Sequence, residues 1–589
     1  MTNKTPLLHP LGTEARVLLS SVFGPYAQDD EYGSRHINPM ELYHNQVTRV
    51  QGVFSLRMFH RSFGLLLMQA NMEAPCTILD FPDLDRFVSE LRDHQYDIVG
   101  ISAIIPNVGK VKKMCELVRT HLPGAVIVVG GHVANLGGLD KMISADHIVR
   151  GEGIRWFRRF LGQDEAAPIR HPHVYSANHT RILGHTLADR PGETAAIVVP
   201  SVGCPMGCNF CSTSALFGGK GNFVDFYETG DELFAVMTEL EESLKVQSFF
   251  ILDENFLFHR QRALRFLELL AEHGKSWSLY VFSSARVLRS YTMEQLVALG
   301  ISWIWMGLEG ENSRYNKLSG VDTRALVQDL KSHGIRVLGS SIIGLEEHRP
   351  EDMEGIIDHA VSHETDFHQF MLYTANPGTP LHDEMKQAGT LLPEKEFALA
   401  DAHGQYRFNH RHAHIRDHQE EQIILSAFKR DFEQNGPSLF RMMRTLLTGW
   451  ERYRHHPEKR IRDRYAREVQ PLRSTYVGGI WAMRKWYQHN KAMVGKMDAL
   501  LADIHAAFGW STRLTAPIYG RYLHRAMKRE EKQLATGWRP EPTTFYEKNP
   551  AALALEQEAP YPVRRENPVG IGAAAKLAKG IELPKEKWA

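Results

Sequence analysis

TAAIVVPSVGCPMGCNFC, residues 194–211, reads as a short buried strand that runs directly into a cysteine-rich loop. Ala196 to Pro200 is apolar and largely β-branched, too short for a helix, and the loop after it holds three of the chain's five cysteines. Downstream, further strand candidates lie at Ser248 to Leu252, Leu279 to Phe282, Trp303 to Gly307, Val337 to Ile343 and Phe367 to Leu372. Helical patterns separate them, for example Asp231 to Leu244 and Gln261 to His273. Alternation of this kind builds a parallel α/β sheet, and six such units predict a partial or complete barrel with its active site at the carboxyl ends of the strands.

Upstream the same alternation occurs once more. Arg16 to Val22, Cys76 to Phe81, Asp97 to Ala103 and Ala125 to Gly130 read as strands, with helices at His60 to Ala70, Leu84 to Asp93 and Val108 to His121. This predicts a doubly wound, Rossmann-like domain over residues 1–165 that includes an N-terminal extension, followed by a Pro-, His- and Asn-rich linker at 166–193. The barrel is expected over 194–392. From 393 to 540 strand signals fade and long amphipathic helices such as Glu420 to Glu433 and Gly479 to Ala507 take over. Residues 541–589, rich in Pro, Glu, Ala and Lys, read as a loosely ordered tail.

At 589 residues the chain exceeds one hydrophobic core, and 43% hydrophobic with 23% charged residues excludes wholesale disorder. The net charge is zero, yet between Gln405 and Glu541 basic residues exceed acidic ones by about a dozen. No targeting segment and no run of about 20 apolar residues is seen, so the expected compartment is the cytoplasm. An odd count of five cysteines argues for metal or redox use, not a disulfide framework.

Cys204, Cys208 and Cys211 place three thiolates within eight residues. Soft thiolates suit iron–sulfur clusters or zinc. A structural zinc site wants four protein ligands, whereas a cubane on three cysteines leaves one iron open to a substrate. A zinc loop completed by a distant residue and a group of core cysteines are the rival readings. Cys76 and Cys115 lie on apolar segments and read as core. Gly130-Gly131-His132 and Gly151-Glu152-Gly153 end strands of the first sheet, where glycine lets a ligand approach the backbone; ordinary tight turns are the alternative. His132 reads as a polar loop residue, and His410, His412, His414 and His418 as a histidine-rich polar segment.

The Cys-x3-Cys-x2-Cys spacing, with Phe210 before the last cysteine, resembles the radical SAM superfamily. So do, in order, Phe250 to Phe256 (FILDENF), Ser283 to Arg286 (SSAR), Trp305 to Gly310 (WMGLEG), Gly339 to Glu346 (GSSIIGLE) and Asn376 to Leu381 (NPGTPL). With GGHVAN and DHIVRGEG ahead of it, residues 15–400 are similar to the cobalamin-binding subclass. The resemblance implies three cofactors: a [4Fe-4S] cluster on Cys204, Cys208 and Cys211, S-adenosyl-L-methionine, and cobalamin. It implies contacts to S-adenosylmethionine by Glu309, with Ser284 and Arg286 as further candidates, and Phe210 packed near the cluster; Arg286 is equally well read as a structural salt-bridge residue. Asp253 and Glu254 are read as binding cofactor, orienting substrate or capping the next helix. Gly130, Gly131, Gly151, Glu152 and Gly153 are the cobalamin-side candidates. No catalytic residue is assigned.

One departure stands out. The Asp-x-His-x-x-Gly segment that gives other cobalamin domains a cobalt ligand is absent, and the matching loop reads Ala103-Ile104-Ile105-Pro106-Asn107-Val108-Gly109. The lower cobalt face is then empty, water-bound or covered by an apolar side chain. The implied reaction is methylation of an unactivated carbon through a 5′-deoxyadenosyl radical and methylcobalamin. A cobalamin-dependent cyclisation, rearrangement or oxidation is the alternative, and a non-enzymatic cobalamin or redox sensor a more distant one. The expected partners are a small-molecule or lipid-like substrate and a low-potential electron donor such as flavodoxin or ferredoxin, with no nucleic acid. The basic C-terminal helices, with Trp481, Trp486, Tyr487, Trp510 and Trp538, suit either contact with an anionic membrane or a solvated face over an aromatic core.

Overall fold

Four apolar runs near the start of the chain become strands β1 (Val17–Ser20), β2 (Cys76–Asp80), β3 (Ile98–Ser102) and β4 (Val126–Gly130), with a short β5 (His147–Ile148) beside them. The structure is a computed structural model that describes residues 8–24, 31–34, 40–176, 180–187, 194–309, 318, 320–538, 540 and 544–558. The order is β2-β1-β3-β4-β5, all parallel. Side chains alternate across the sheet, and both faces are covered, which is why these strands read as continuous apolar runs. Leu18, Val99, Ile101, Ile127 and Val129 pack with the helices Leu84–Asp93 and Val108–His121, the latter carrying buried Cys115. Val17, Leu19, Cys76, Ile78 and Val128 pack with Phe63–Ala70 and Gly153–Phe160 on the other face. Chain order reverses between β1 and β3, the point at which such sheets open a crevice at their carboxyl edge.

The second sheet consists of β6 (Ala196–Val198), β7 (Ser248–Ile251), β8 (Ser278–Ser283), β9 (Ile301–Glu309), β10 (Arg336–Ile343) and β11 (Phe367–Leu372), parallel and in sequential order. The outer strands β6 and β11 are not paired with each other, so the barrel is partial. Its concave side holds an aromatic stack: Phe250 lies 4.4 Å from Tyr280, and Phe282 lies 5.2 Å from Trp305, ring centre to ring centre. A single helical turn, Tyr43–Val47, reaches the sheet from the connection between β1 and β2. Tyr43 and Tyr280 hydroxyls are 3.1 Å apart, and Gln369 Nε2 donates to Gln46 Oε1 at 3.0 Å.

Helices from Gln419 onward wrap the outer face. Glu468 accepts from Arg336 at 2.8 Å and from Ser278 at 2.6 Å, which ties the helix Lys459–Glu468 to β8 and β10. The pattern read from Gly479 to Ala507 as one helix is two, Thr475–Trp486 and Lys491–Phe508. Asn490 breaks it by capping the second, accepting from the Met493 amide at 3.1 Å. Trp481, Trp486 and Tyr487 pack against the large core rather than facing solvent, and Arg181 sits over the Trp538 ring.

The expected loose tail divides. Phe545–Lys548 is a strand added antiparallel to the free edge of β2, followed by the helix Pro550–Glu558. Asn549 Oδ1 accepts from the Cys76 amide at 2.9 Å, and Tyr546 Oη donates to buried Glu90 at 3.0 Å. An open strand edge was the available partner, and four residues alternating across it are enough to close it. The remainder, 559–589, and the linker residues 177–179 and 188–193, lie outside the described residues.

Candidate active site

The carboxyl edges of the two sheets face each other across a cavity of about 450 Å³. The loop after β3 contributes Ile104, Ile105 and Pro106, and the loop after β4 contributes His132. From the opposite side come Cys204, Cys208, Cys211 and Phe210, with Glu254, Asn255, Ser284 and Glu309 from the ends of β7, β8 and β9. Phe282 and Trp305, the top of the aromatic stack, and Ile342, Met371 and Tyr373 make the rest of the lining largely apolar.

The cysteine loop is held by its own backbone and by a glycine. The Cys211 amide donates to the Cys208 carbonyl at 3.1 Å, and Cys211 Sγ accepts from the Ser214 amide at 3.5 Å. Gly207 has φ +67°, and a Cβ there would lie 2.3 Å from Lys220 Cβ, so only glycine lets the loop fold back on itself. Burial, with neighbouring thiols and Glu254, pushes Cys204 up to about 12; burial and Glu254 push Cys211 up to about 11. Thiols bind metal as thiolates, their protons being displaced to solvent as the metal enters. Among the described residues no group of three His, Cys, Asp or Glu, the cysteine triad included, is drawn close enough to hold a single metal ion.

Glu309 ends β9 in an unusual way. The register against β10 shifts between Gly307 and Glu309, and Glu309 has φ +32°, a conformation rare for a side chain of its size. The bulge directs the carboxylate to the cavity, where Glu309 is 4% exposed. Ser284 is also buried at the wall, 3.5 Å from Asn255 Nδ2, and Asn255 Oδ1 accepts from Ser283 at 3.2 Å. Glu254 projects into the cavity, accessible there yet walled by protein; desolvation and the charge of Asp253 push its carboxyl up to about 7.

Several sequence candidates lie elsewhere. Asp253 is buried in an ion pair with Arg262 at 2.6 Å and accepts from Ser201 at 2.8 Å, which makes it a brace beneath the loop. It also accepts from the Asn255 amide at 3.0 Å, ahead of the short turn Phe256–Phe258, while the helix Arg260–Glu272 beyond has His259 as its N-cap. Arg286 is exposed on the short helix Ala285–Leu288 and does not line the cavity. Glu152 caps the helix Gly153–Phe160 by accepting from the amides of Ile154 and Arg155, so Gly151-Glu152-Gly153 begins a helix and stays out of the cavity wall. Gly130 and Gly131 stand behind the wall: Gly131, at φ +80°, comes so close to the β3 loop that a Cβ would meet the Ala103 carbonyl at 2.7 Å. This contact positions His132, whose Nε2 lies 3.4 Å from Thr213 Oγ1 just beyond the cysteines. Of the histidine-rich segment, His410 and His412 are buried, and His412 Nε2 contacts the Leu345 carbonyl at 3.0 Å.

The structure also brings in residues with no local signal. Trp305 Nε1 donates to Ser340 Oγ at 2.7 Å, Ser340 donates to Gln369 at 2.7 Å, and Gln369 donates to Gln46, so a polar row crosses the cavity floor. His403 arrives from beyond the barrel, its Nε2 3.3 Å from Ser34 Oγ. The described lining includes no Lys or Arg.

A parallel partial barrel with three thiols at its carboxyl edge defines a radical SAM enzyme. The Radical SAM superfamily model matches residues 198–360, and the B12 binding domain model matches residues 58–161. The chain thus carries a radical SAM domain with a B12-binding domain ahead of it. Among relatives, bacteriochlorophyllide d C-12(1)-methyltransferase of Chlorobaculum tepidum is 26% identical over 49% of this chain and 66% of its own. An anaerobic magnesium-protoporphyrin IX monomethyl ester cyclase of Rubrivivax gelatinosus is 25% identical over 49% of this chain and 58% of its own. A solved structure of the radical S-adenosylmethionine methyltransferase TsrM from Kitasatospora setae, with cobalamin and a [4Fe-4S] cluster bound, covers 77% of this chain and 99% of that one at 14% identity and TM-score 0.47.

The residues present fit these cofactors. Three thiols on one tight loop match a [4Fe-4S] cluster with an open iron, and Glu309 and Ser284 line the same cavity. The Ile104-Ile105-Pro106 wall at the switch side of the first sheet offers an apolar surface to cobalamin. His132 is the histidine in that wall, and burial lowers its pKa, so it stands there neutral.

Proposed function

We propose that this chain methylates an unactivated carbon of a neutral, largely apolar small molecule in the cavity between its two sheets. The observation that carries the reading is that one cavity is lined both by the three cysteines and by the carboxyl-edge loops of the B12-binding domain. Bound there, the cluster with S-adenosylmethionine supplies a radical that removes hydrogen from carbon, and cobalamin supplies the methyl group.

The chain's own residues set the geometry. Cys204, Cys208 and Cys211 hold the iron, and the bulge at Glu309 presents a carboxylate toward the amino or ribose part of S-adenosylmethionine. Phe282 and Trp305 offer flat apolar contact to substrate, and the row Ser340, Gln369 and Gln46 can orient a hydroxyl or carbonyl on it. The described lining is largely apolar and includes no Lys or Arg, which suits a neutral substrate. The two sheet edges together keep bulk water away from a reactive radical. The electron comes from a low-potential donor of the flavodoxin or ferredoxin kind.

Anaerobic reconstitution with iron, sulfide and cobalamin, followed by assay of 5′-deoxyadenosine and S-adenosylhomocysteine, tests this. Both products from the wild type and neither from Cys208→Ala are expected. A second reading, ring formation or oxidation, is kept because a cyclase is among the relatives. It predicts 5′-deoxyadenosine without S-adenosylhomocysteine and a product that gains no methylene unit.

A further inference from the structure

We propose that the exposed face of the helix Trp510–Ala535 docks the protein on an anionic lipid bilayer. The inference is independent of the reaction proposed above.

Along this helix Trp510, Leu514, Ile518 and Tyr522 are 74%, 56%, 64% and 62% exposed. Steps of four residues place all of them on one side. The opposite side holds buried Thr512, Ala516 and Gly520 and packs closely on the helix Thr475–Trp486. A Cβ on Gly520 would sit 2.4 Å from the Trp481 ring, and one on Gly478 2.4 Å from Tyr519 Cβ, so the helix has little freedom to rotate. Small residues face in and large apolar residues face out, the reverse of a helix that meets only water.

The next turns of the exposed side carry Arg521, Arg525, Lys528, Arg529 and Lys532, all exposed. Glu530 is turned inward to Arg181 at 3.0 Å, so Glu531 is the one exposed acid among the described residues 521–532. An apolar stripe continued by a basic cluster is the pattern of a helix that lies in a lipid interface and is drawn to negative headgroups. Among the described residues no helix is long and apolar enough to cross a membrane, so the contact is at the surface.

Other occupants match less well. Residues 559–589 contain six Lys or Arg and three Asp or Glu, the same sign as the helix. A second copy would bring the same cations with little acid to meet them. Neither offers the negative surface that five exposed cations call for.

Flotation of the full-length protein with vesicles of phosphatidylglycerol and phosphatidylcholine, against phosphatidylcholine alone, tests the proposal. Wild type is expected to float with the anionic vesicles only and to be released by salt. Reversing Arg521, Arg525, Lys528 and Arg529 to Glu should weaken binding by at least about five-fold per cation removed. The triple variant Trp510→Ser, Leu514→Ser, Ile518→Ser should weaken it by about tenfold or more. Iron content and circular dichroism check that both remain folded. Failure of the wild type to bind anionic vesicles, or binding that neither variant weakens, overturns the proposal. So does a dimer that the serine variant dissociates, or binding that appears only after residues 559–589 are deleted.

Discussion

The two parallel sheets are built by the same alternation of strand and helix, yet their carboxyl edges are opposite in character. The first offers Ile104, Ile105, Pro106 and a neutral histidine; the second offers three thiols, Glu254 and Glu309. Facing each other across one cavity, they suit different groups in the proposed reading: an apolar wall for a broad cofactor, and thiols with carboxylates for iron and a polar one. The architecture positions both edges, but the chemistry comes from a few residues just past the strand ends.

The division can be broken most sharply on the thiol side. Cys208→Ala should lower 5′-deoxyadenosine formation by about a thousandfold or more, since a cluster held by two cysteines is lost, while corrinoid binding stays within about twofold. Parallel loss of both cofactors on titration would show that the walls are not separate.

A control on the outer face comes next. Burial alone would raise the Glu468 pKa, but Arg336, Arg464 and Ser278 outweigh it and hold the carboxyl below its usual value. Glu468→Gln should cost about 3 kcal/mol in denaturant unfolding, because two buried guanidinium groups lose their counterion. A depressed folded-state pKa means this contribution is full at neutral pH and is lost as pH falls through the folded-state pKa, so the variant should lack that acid-side loss. Its cofactor content at neutral pH should match the wild type; a changed ratio of iron to corrinoid would tie the outer face to the cavity.

On the apolar wall, Ile105→Asp places a carboxylate against the corrinoid and should weaken its binding by about ten- to a hundredfold with iron content unchanged. Glu309→Gln should give the smallest of these effects, about a tenfold weaker S-adenosylmethionine affinity, read by equilibrium binding to the reconstituted protein. An unchanged affinity would remove Glu309 from that role.

Much of this was legible from residue order, and the limits have physical reasons. The strands of both sheets read clearly because burial on both faces makes them continuous apolar runs, and the thiol loop read clearly because its chemistry is local. The two glycine loops looked alike in sequence, but only the first sends a side chain, His132, into the cavity wall; in Gly151-Glu152-Gly153 the acid is consumed as a helix cap. Asp253 and Glu254 are adjacent, yet Arg262 captures the first and leaves the second to the cavity. Gln46 and His403 carried no signal because they reach the cavity from outside the barrel strands. The edge strand Phe545–Lys548 was hidden because its pairing depends on a free edge hundreds of residues earlier.

The central claim is that one cavity holds both metal cofactors. Electron paramagnetic resonance on the reconstituted protein, with the cluster reduced and the corrinoid in its Co(II) state, tests it most directly. The account predicts that each signal is broadened by the other and that the Co(II) signal sharpens when Cys208→Ala removes the cluster. Two unperturbed signals that simply add would contradict a shared cavity.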